Sequence, residues 1–226
     1  MEQRTIFRIV AFVLIAYYAI NSALLGTYML ARGLDLWGGG LIFLSNWNLV
    51  VNLVIAGCAL YREYDRSFVS YQPLLAASMG LNIIVVLLYW VLRAMGAFGE
   101  GIEENWELTD HIRNIYIHLG TSVFLFVEVI FFNKPFQDWK KEYSIYMAIF
   151  IGYILWMELF VSPNNPDWNC SETRADSCGF PYLFLNDLSE IGRLIFYFGV
   201  WVLGNGALAF SYYLYNYKKK NWSSSE

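Results

Sequence analysis

Six long apolar stretches are the feature of this sequence that most restricts its fold. They cover roughly residues 6–31, 40–61, 71–95, 112–132, 143–161 and 191–217. The hydrocarbon core of a bilayer is about 30 Å thick and needs about 20 apolar residues per helix, so each stretch can cross it once. Backbone groups in lipid must be satisfied within the protein, and no β-barrel alternation is visible, so helices are expected. The sequence therefore predicts an all-α, polytopic membrane helical bundle with six transmembrane helices in a single domain.

The composition agrees with this prediction and excludes other classes of protein. Of the 226 residues, 58% are hydrophobic and only 15% are charged, whereas soluble domains carry about 25% charged residues. The net charge of −4 provides no basic field for phosphates, so no nucleic-acid partner is expected. The first apolar stretch is too long for a signal peptide and no small-residue cleavage site follows it, so it is interpreted as a retained span.

The distribution of Lys and Arg predicts the orientation. Ten of these residues lie on the side of the two termini: Arg4, Arg8, Arg62, Arg66, Lys134, Lys140, Lys141, Lys218, Lys219 and Lys220. Five lie on the other side: Arg32, Arg93, Arg113, Arg174 and Arg193. Because positive charge accumulates on the cytoplasmic side, both termini are expected in the cytoplasm. The membrane is that of the endoplasmic reticulum or the plasma membrane, which span length does not separate.

The last loop on the opposite side carries two further signals. Cys170 and Cys178 lie in it, and two cysteines in a short lumenal loop are expected to pair because that compartment is oxidising. Asn169 begins the sequon Asn169-Cys170-Ser171 and is the expected glycosylation site.

Ionisable and hydroxyl side chains at membrane depth predict a catalytic site, because such residues are costly in lipid. Ser45 lies about five residues into the second stretch and His118 about seven residues into the fourth, so their depths are roughly 7.5 Å and 10 Å. Glu158 lies near the outer end of the fifth stretch, in the same layer. A hydroxyl, an imidazole and a carboxylate at one depth are the parts of an activated nucleophile. We therefore predict Ser45 as the nucleophile, His118 as the general base and Glu158 as its acid partner.

Other polar residues complete this prediction. The side-chain amides of Asn46 and Asn48 are candidate substrate-binding and oxyanion donors. Glu128 lies ten residues beyond His118, roughly 15 Å deeper and about 80° around the helix, so it is not expected to orient that ring. The two histidines, His111 and His118, would need metal ligands from other spans. No metal and no cofactor are expected.

Several short motifs carry a resemblance to a known family. They are Phe-Leu-Ser45-Asn46-Trp47, His118-Leu-Gly-Thr-Ser-Val with Glu128 ten residues on, Gly152-Tyr-Ile-Leu-Trp156, Pro181-Tyr182 and Gly192-Arg193-Leu-Ile-Phe-Tyr-Phe-Gly199. In this order and spacing, over roughly residues 40–217, the chain resembles the androgen-induced-gene family of six-span membrane proteins and its rolling stone relatives.

The resemblance implies an activity. Members of the androgen-induced-gene branch hydrolyse fatty acid esters of hydroxy fatty acids with an intramembrane Thr nucleophile and a His. The Thr position falls on Ser45, a change that keeps the hydroxyl, and the His position falls on His118. The expected partners are therefore membrane lipids and a lipid-ester substrate. The family supplies no acid partner for His118.

Two alternatives stay open from the sequence. Asn46-Trp47 and residues 118–135 are more similar to the rolling stone branch, which implies a non-enzymatic role in cell fusion, adhesion or regulation. A transporter or channel is a weaker alternative, suggested by Asn52, Asn82 and other polar residues at depth, although no inverted repeat or broken helix supports it. Asn205, between Gly204 and Gly206, is instead interpreted as a site of close helix packing.

Overall fold

The computed structural model describes residues 3–30, 33–96, 106–133, 135–168, 170–171 and 178–222. Within these ranges no β-strand occurs, and six helices are long and apolar enough to cross a membrane. They are span 1 (Gln3–Leu24), span 2 (Leu44–Tyr64), span 3 (Gln72–Ala94), span 4 (Leu108–Phe132), span 5 (Trp139–Asn164) and span 6 (Glu190–Tyr217). The predicted all-α, six-span fold is confirmed.

The end of span 1 differs most from the predicted boundary. The apolar pattern continues to residue 31, but the helix ends at Leu24, and Gly26 adopts a positive φ of 58°. Glycine takes this left-handed conformation without steric cost and so ends helices. The chain then forms a short helix, Thr27–Leu30, and a 3₁₀ turn, Gly39–Ile42, before span 2 begins.

Span 3 is the central helix of the bundle. It contacts spans 2, 4, 5 and 6, while span 1 packs mainly on span 2. The fully buried side chains of span 3 include Leu75, Leu81 and Ile84. Large apolar side chains such as Val13 and Phe198 remain exposed on the outer surface. An apolar exterior around a packed interior is the distribution that a lipid environment requires.

Gly204 is a point of close contact between spans 3, 5 and 6. A Cβ atom at this position would lie 1.9 Å from Tyr146 Oη and 2.4 Å from Ile84 Cδ1. A Cβ atom on Gly206 would meet nothing within 4 Å. The close packing predicted here is therefore found at Gly204 alone, where the missing side chain lets helices approach.

Short π-helical segments occur within or at the end of three of the spans. They are Ala19–Leu24 in span 1, Tyr116–Gly120 and Glu128–Phe132 in span 4, and Met157–Val161 in span 5. The last three contain His118, Glu128 and Glu158. A π-helical turn holds an extra residue and is frequently found at functional sites. These segments set the direction in which each of the three polar side chains leaves its helix.

Candidate active-site cavity

A cavity of about 880 Å³ lies at the end of the bundle opposite the chain termini. Side chains from all six spans line it, and most of them are apolar. Its volume is within the range of about 300–1,000 Å³ that is usual for small-molecule sites. Ser45 and His118 both line this cavity, so the structure brings the predicted nucleophile and base to one space.

Ser45 occupies the first turn of span 2. Phe43 has an extended backbone, and the helix starts at the next residue, Leu44. The Leu44 N–H donates a hydrogen bond of 3.3 Å to the Tyr182 hydroxyl rather than to a helical carbonyl. The first N–H groups of a helix lack intrahelical acceptors and form the positive end of its dipole. The Ser45 hydroxyl therefore lies where negative charge on an oxygen is stabilised.

His118 lies in the π-helical segment of span 4 and is partly exposed to the cavity. Its ring stacks on Tyr89, with ring centroids 3.7 Å apart and an interplanar angle of 9°. Nδ1 is buried and has no hydrogen-bond partner within the described ranges. The stack on Tyr89 therefore fixes the plane of the imidazole ring and does not involve a hydrogen bond to Nδ1.

The side chain of Glu158 forms hydrogen bonds with two side chains of span 6. Its Oε1 accepts hydrogen bonds from Arg193 Nε at 3.2 Å and from the Tyr197 hydroxyl at 2.8 Å. No hydrogen bond joins Glu158 to His118 among the residues that the structure describes. The expected role of Glu158 as acid partner finds no supporting contact, because its carboxylate is turned toward span 6.

Asn46 borders the cavity, but its amide hydrogens point elsewhere. Nδ2 donates to the Ser22 carbonyl at 3.2 Å and to the Gly40 carbonyl at 2.7 Å. A Cβ atom on Gly40 would lie only 1.8 Å from the Ser22 oxygen, so glycine permits this close approach. Asn46 thus joins the start of span 2 to the end of span 1. The expected oxyanion role does not match this geometry, since both amide hydrogens are used.

Asn48 belongs to a buried amide cluster between spans 2, 3 and 4. Its Nδ2 donates to Asn82 Oδ1 at 3.0 Å, as does Asn52 Nδ2, and Ser122 Oγ donates to the same oxygen at 2.9 Å. Asn48 is not among the side chains that line the cavity. Its contacts indicate helix packing rather than the expected substrate binding.

The carboxylate of Glu128, as expected, does not orient the ring of His118. It accepts two hydrogen bonds from Arg8 of span 1, from Nε at 2.7 Å and from Nη2 at 2.8 Å. The exposed fractions of the two side chains are 2% and 0%. In the sequence Arg8 is only a topology signal, and no local pattern pairs it with Glu128, 120 residues away.

Two arginines that the sequence explains only as topology signals also line the main cavity. Arg93 and Arg113 line the cavity together with Asn114 and Tyr89. Arg93 Nη1 donates to the Tyr89 hydroxyl at 2.8 Å, and Asn114 Nδ2 donates to the same oxygen. The positions of Arg93 and Arg113 at the ends of spans 3 and 4 that lie away from the chain termini are the available sequence signal. They add positive charge to an otherwise mainly apolar cavity.

The segment between spans 5 and 6 covers part of the cavity. Trp168, Pro181 and Tyr182 line it, and burial raises the pKa of the Tyr182 phenol, which therefore stays protonated. Cys170 and Cys178 form a disulfide with an S–S distance of 2.02 Å, as predicted. Asn169, the predicted glycosylation site, lies outside the described residues.

No protein-family model matches this chain, and no curated protein or solved structure matches it either.

Proposed function

We propose that this protein is an integral-membrane lipid ester hydrolase acting on fatty acid esters of hydroxy fatty acids. The observation that carries the proposal is that Ser45 of span 2 and His118 of span 4 line the same mainly apolar cavity. The motif resemblance described above supports the substrate class.

The reaction uses these two side chains as nucleophile and base. His118 takes the hydroxyl proton of Ser45 while Oγ attacks the ester carbonyl carbon. The positive end of span 2 stabilises the resulting oxyanion. His118 then returns the proton to the leaving alkoxide, which departs as the hydroxy fatty acid. Water then attacks the acyl-Ser45 ester while His118 takes its proton, the fatty acid leaves, and His118 returns that proton to Ser45 Oγ.

The cavity lining suits such a substrate. Its apolar side chains, among them Val85, Leu88 and Phe150, accept acyl chains by removing apolar surface from water. The guanidinium groups of Arg93 and Arg113 are suited to the carboxylate that a hydroxy fatty acid ester carries.

A non-enzymatic membrane protein in cell fusion, adhesion or regulation is the second candidate. It is favoured by the contacts of Glu158, which leave His118 with no acid partner among the described residues. In that case the cavity binds a lipid without cleaving it.

Labelling by a fluorophosphonate probe distinguishes the two candidates. An activated serine displaces fluoride from the probe phosphorus and keeps the phosphonyl group, while the histidine takes up the proton. We expect the detergent-solubilised full chain to be labelled, and Ser45→Ala to lose the label. Ser22→Ala, which removes another hydroxyl that lines the same cavity, should label as wild type. Absence of labelling in the folded wild-type protein would support the non-enzymatic candidate.

We also propose that both termini face the cytoplasm and that the disulfide-bearing segment faces the lumen. The excess of Lys and Arg at the termini and the disulfide between Cys170 and Cys178 support this orientation. Expression in mammalian cells should give a glycan-sized mobility shift that Asn169→Gln removes. Asn221→Gln, at the sequon on the other side, should leave the shift unchanged. Loss of the shift on Asn221→Gln alone would reverse the orientation.

A further inference from the structure

A second, small cavity lies at the opposite end of the bundle, beside the chain termini. It has a volume of about 110 Å³, and its lining is Arg4, Arg8, Arg62, Arg66 and Phe132. The four guanidinium groups come from span 1, from the end of span 2 and from the turn that follows it. The proposed hydrolase uses none of these residues.

Two carboxylates meet this group of arginines, and both already have several donors. Glu63 accepts hydrogen bonds from Arg4 Nε at 2.7 Å, from Arg8 Nη1 at 2.6 Å and from Thr5 Oγ1 at 3.1 Å. Glu128 accepts hydrogen bonds from Arg8 Nε and Arg8 Nη2, and a third one of 2.5 Å from Asn133 Nδ2. Among the described residues that line this cavity or bond to its lining, four cationic side chains thus face two carboxylates, which is an excess of two positive charges.

Asp65, which precedes Arg66 in the sequence, forms no ion pair with these arginines within the described ranges. Asp65 Oδ1 accepts from the backbone N–H and the hydroxyl of Ser67, within its own turn. Arg62 donates to Asn133 Oδ1, a neutral acceptor. Arg66 is exposed and makes no hydrogen bond or ion pair within the described part of the chain.

The surplus charge favours binding of an anion with several oxygen acceptors. Guanidinium groups at one cavity hold a tetrahedral oxyanion through several charge-assisted hydrogen bonds, for which arginine geometry is well suited. Basic pockets between spans at the cytoplasmic side are also where lipid headgroups bind. We propose that this cavity is a phosphate-binding site, occupied by the phosphate of an anionic lipid headgroup or by a soluble phosphate.

Titration calorimetry on the full-length protein in neutral detergent tests the proposal. The probes are inorganic phosphate and dioctanoyl phosphatidic acid, with dioctanoyl phosphatidylcholine as the zwitterionic control. Wild-type protein should bind at least one of the two anionic probes saturably and should not bind the control. Arg66→Gln removes a side chain without described contacts, so we expect an unchanged unfolding temperature. Binding of the anionic probe should become about tenfold weaker, which is the usual effect of losing one charge-assisted hydrogen bond. Arg62→Gln should weaken binding similarly.

Lys140→Gln is the matched control, because it removes an exposed cation at the same end of the bundle, away from the cavity. It should bind as wild type. If phosphatidic acid binds more than tenfold tighter than inorganic phosphate, the occupant is a lipid headgroup. If the two probes bind with similar affinity, the occupant is a soluble phosphate. The absence of saturable binding of either anionic probe would overturn the proposal. Unchanged binding in Arg66→Gln, or equal weakening by Lys140→Gln, would also overturn it.

Discussion

Replacing Ser45 with alanine should lower the hydrolysis of a fatty acid ester of a hydroxy fatty acid by at least about a thousandfold. The variant keeps the cavity but has no oxygen to form the acyl intermediate, and catalytic groups that act as a unit lose activity on this scale. His118→Ala should cause a similar loss, because nothing then removes the hydroxyl proton. The measurement is product release from a defined ester by purified protein. Because the two residues act together, the double variant should lose little more than either single variant.

Two further variants give this experiment its controls. Ser45→Thr retains a hydroxyl at the same position and should keep measurable activity. Glu158→Gln keeps the shape of a side chain that contacts Arg193 and Tyr197 rather than His118, so its turnover should stay within about tenfold of wild type, a change of about 1.4 kcal/mol in the activation free energy. Equal turnover in wild type, Ser45→Ala and His118→Ala would refute the hydrolase proposal.

The largest expected change in stability comes from Glu128→Gln. Breaking a buried ion pair by removing one charge leaves the other uncompensated, at a cost of about 3–5 kcal/mol in the free energy of unfolding. Here the remaining charge is that of Arg8, whose side chain is only 2% exposed and keeps one carboxylate partner, Glu63, so we expect a loss of about 3 kcal/mol, the lower end of this range. Reversible unfolding in mixed micelles measures the change. Combining Glu128→Gln with Arg8→Gln should destabilise less than the sum of the two single variants, because the double variant leaves no unpaired charge at this pair.

Glu158→Gln is the matched control for this measurement. The Arg193–Glu158 pair has an N–O distance of 3.2 Å, against 2.7 Å for Arg8–Glu128, and the Glu158 side chain is 29% exposed. A pair with access to solvent should contribute about 1 kcal/mol or less. If Glu128→Gln and Glu158→Gln destabilise the protein equally, burial does not govern the strength of the Arg8–Glu128 pair.

Hydropathy was enough to predict the helices, because a span is defined by length and apolar content. The helical rise also placed Ser45 and His118 at similar depth, and the structure finds both at one cavity. Depth follows from counting residues along one helix and needs no knowledge of the neighbouring helices. This explains why the pair could be proposed from sequence.

The direction of each side chain around its helix could not be obtained in the same way. Asn46 and Asn48 are two residues apart, yet one bonds to the backbone of span 1 and its loop and the other to Asn82 of span 3. Glu158 lies at the expected depth but faces span 6. Direction depends on helix packing and on the π-helical segments, and neither has a composition signal.

The interval between His118 and Glu128 restricts the length of span 4. One helix presents His118 to the cavity and, ten residues later, Glu128 to Arg8 at the other end. Removing a single residue between them would rotate everything beyond it by about 100° relative to the imidazole. Either the carboxylate or the imidazole would then leave its partners. The number of residues in this interval is therefore constrained more strictly than their identity, and we expect span 4 to accept substitutions between the two sites more readily than insertions or deletions.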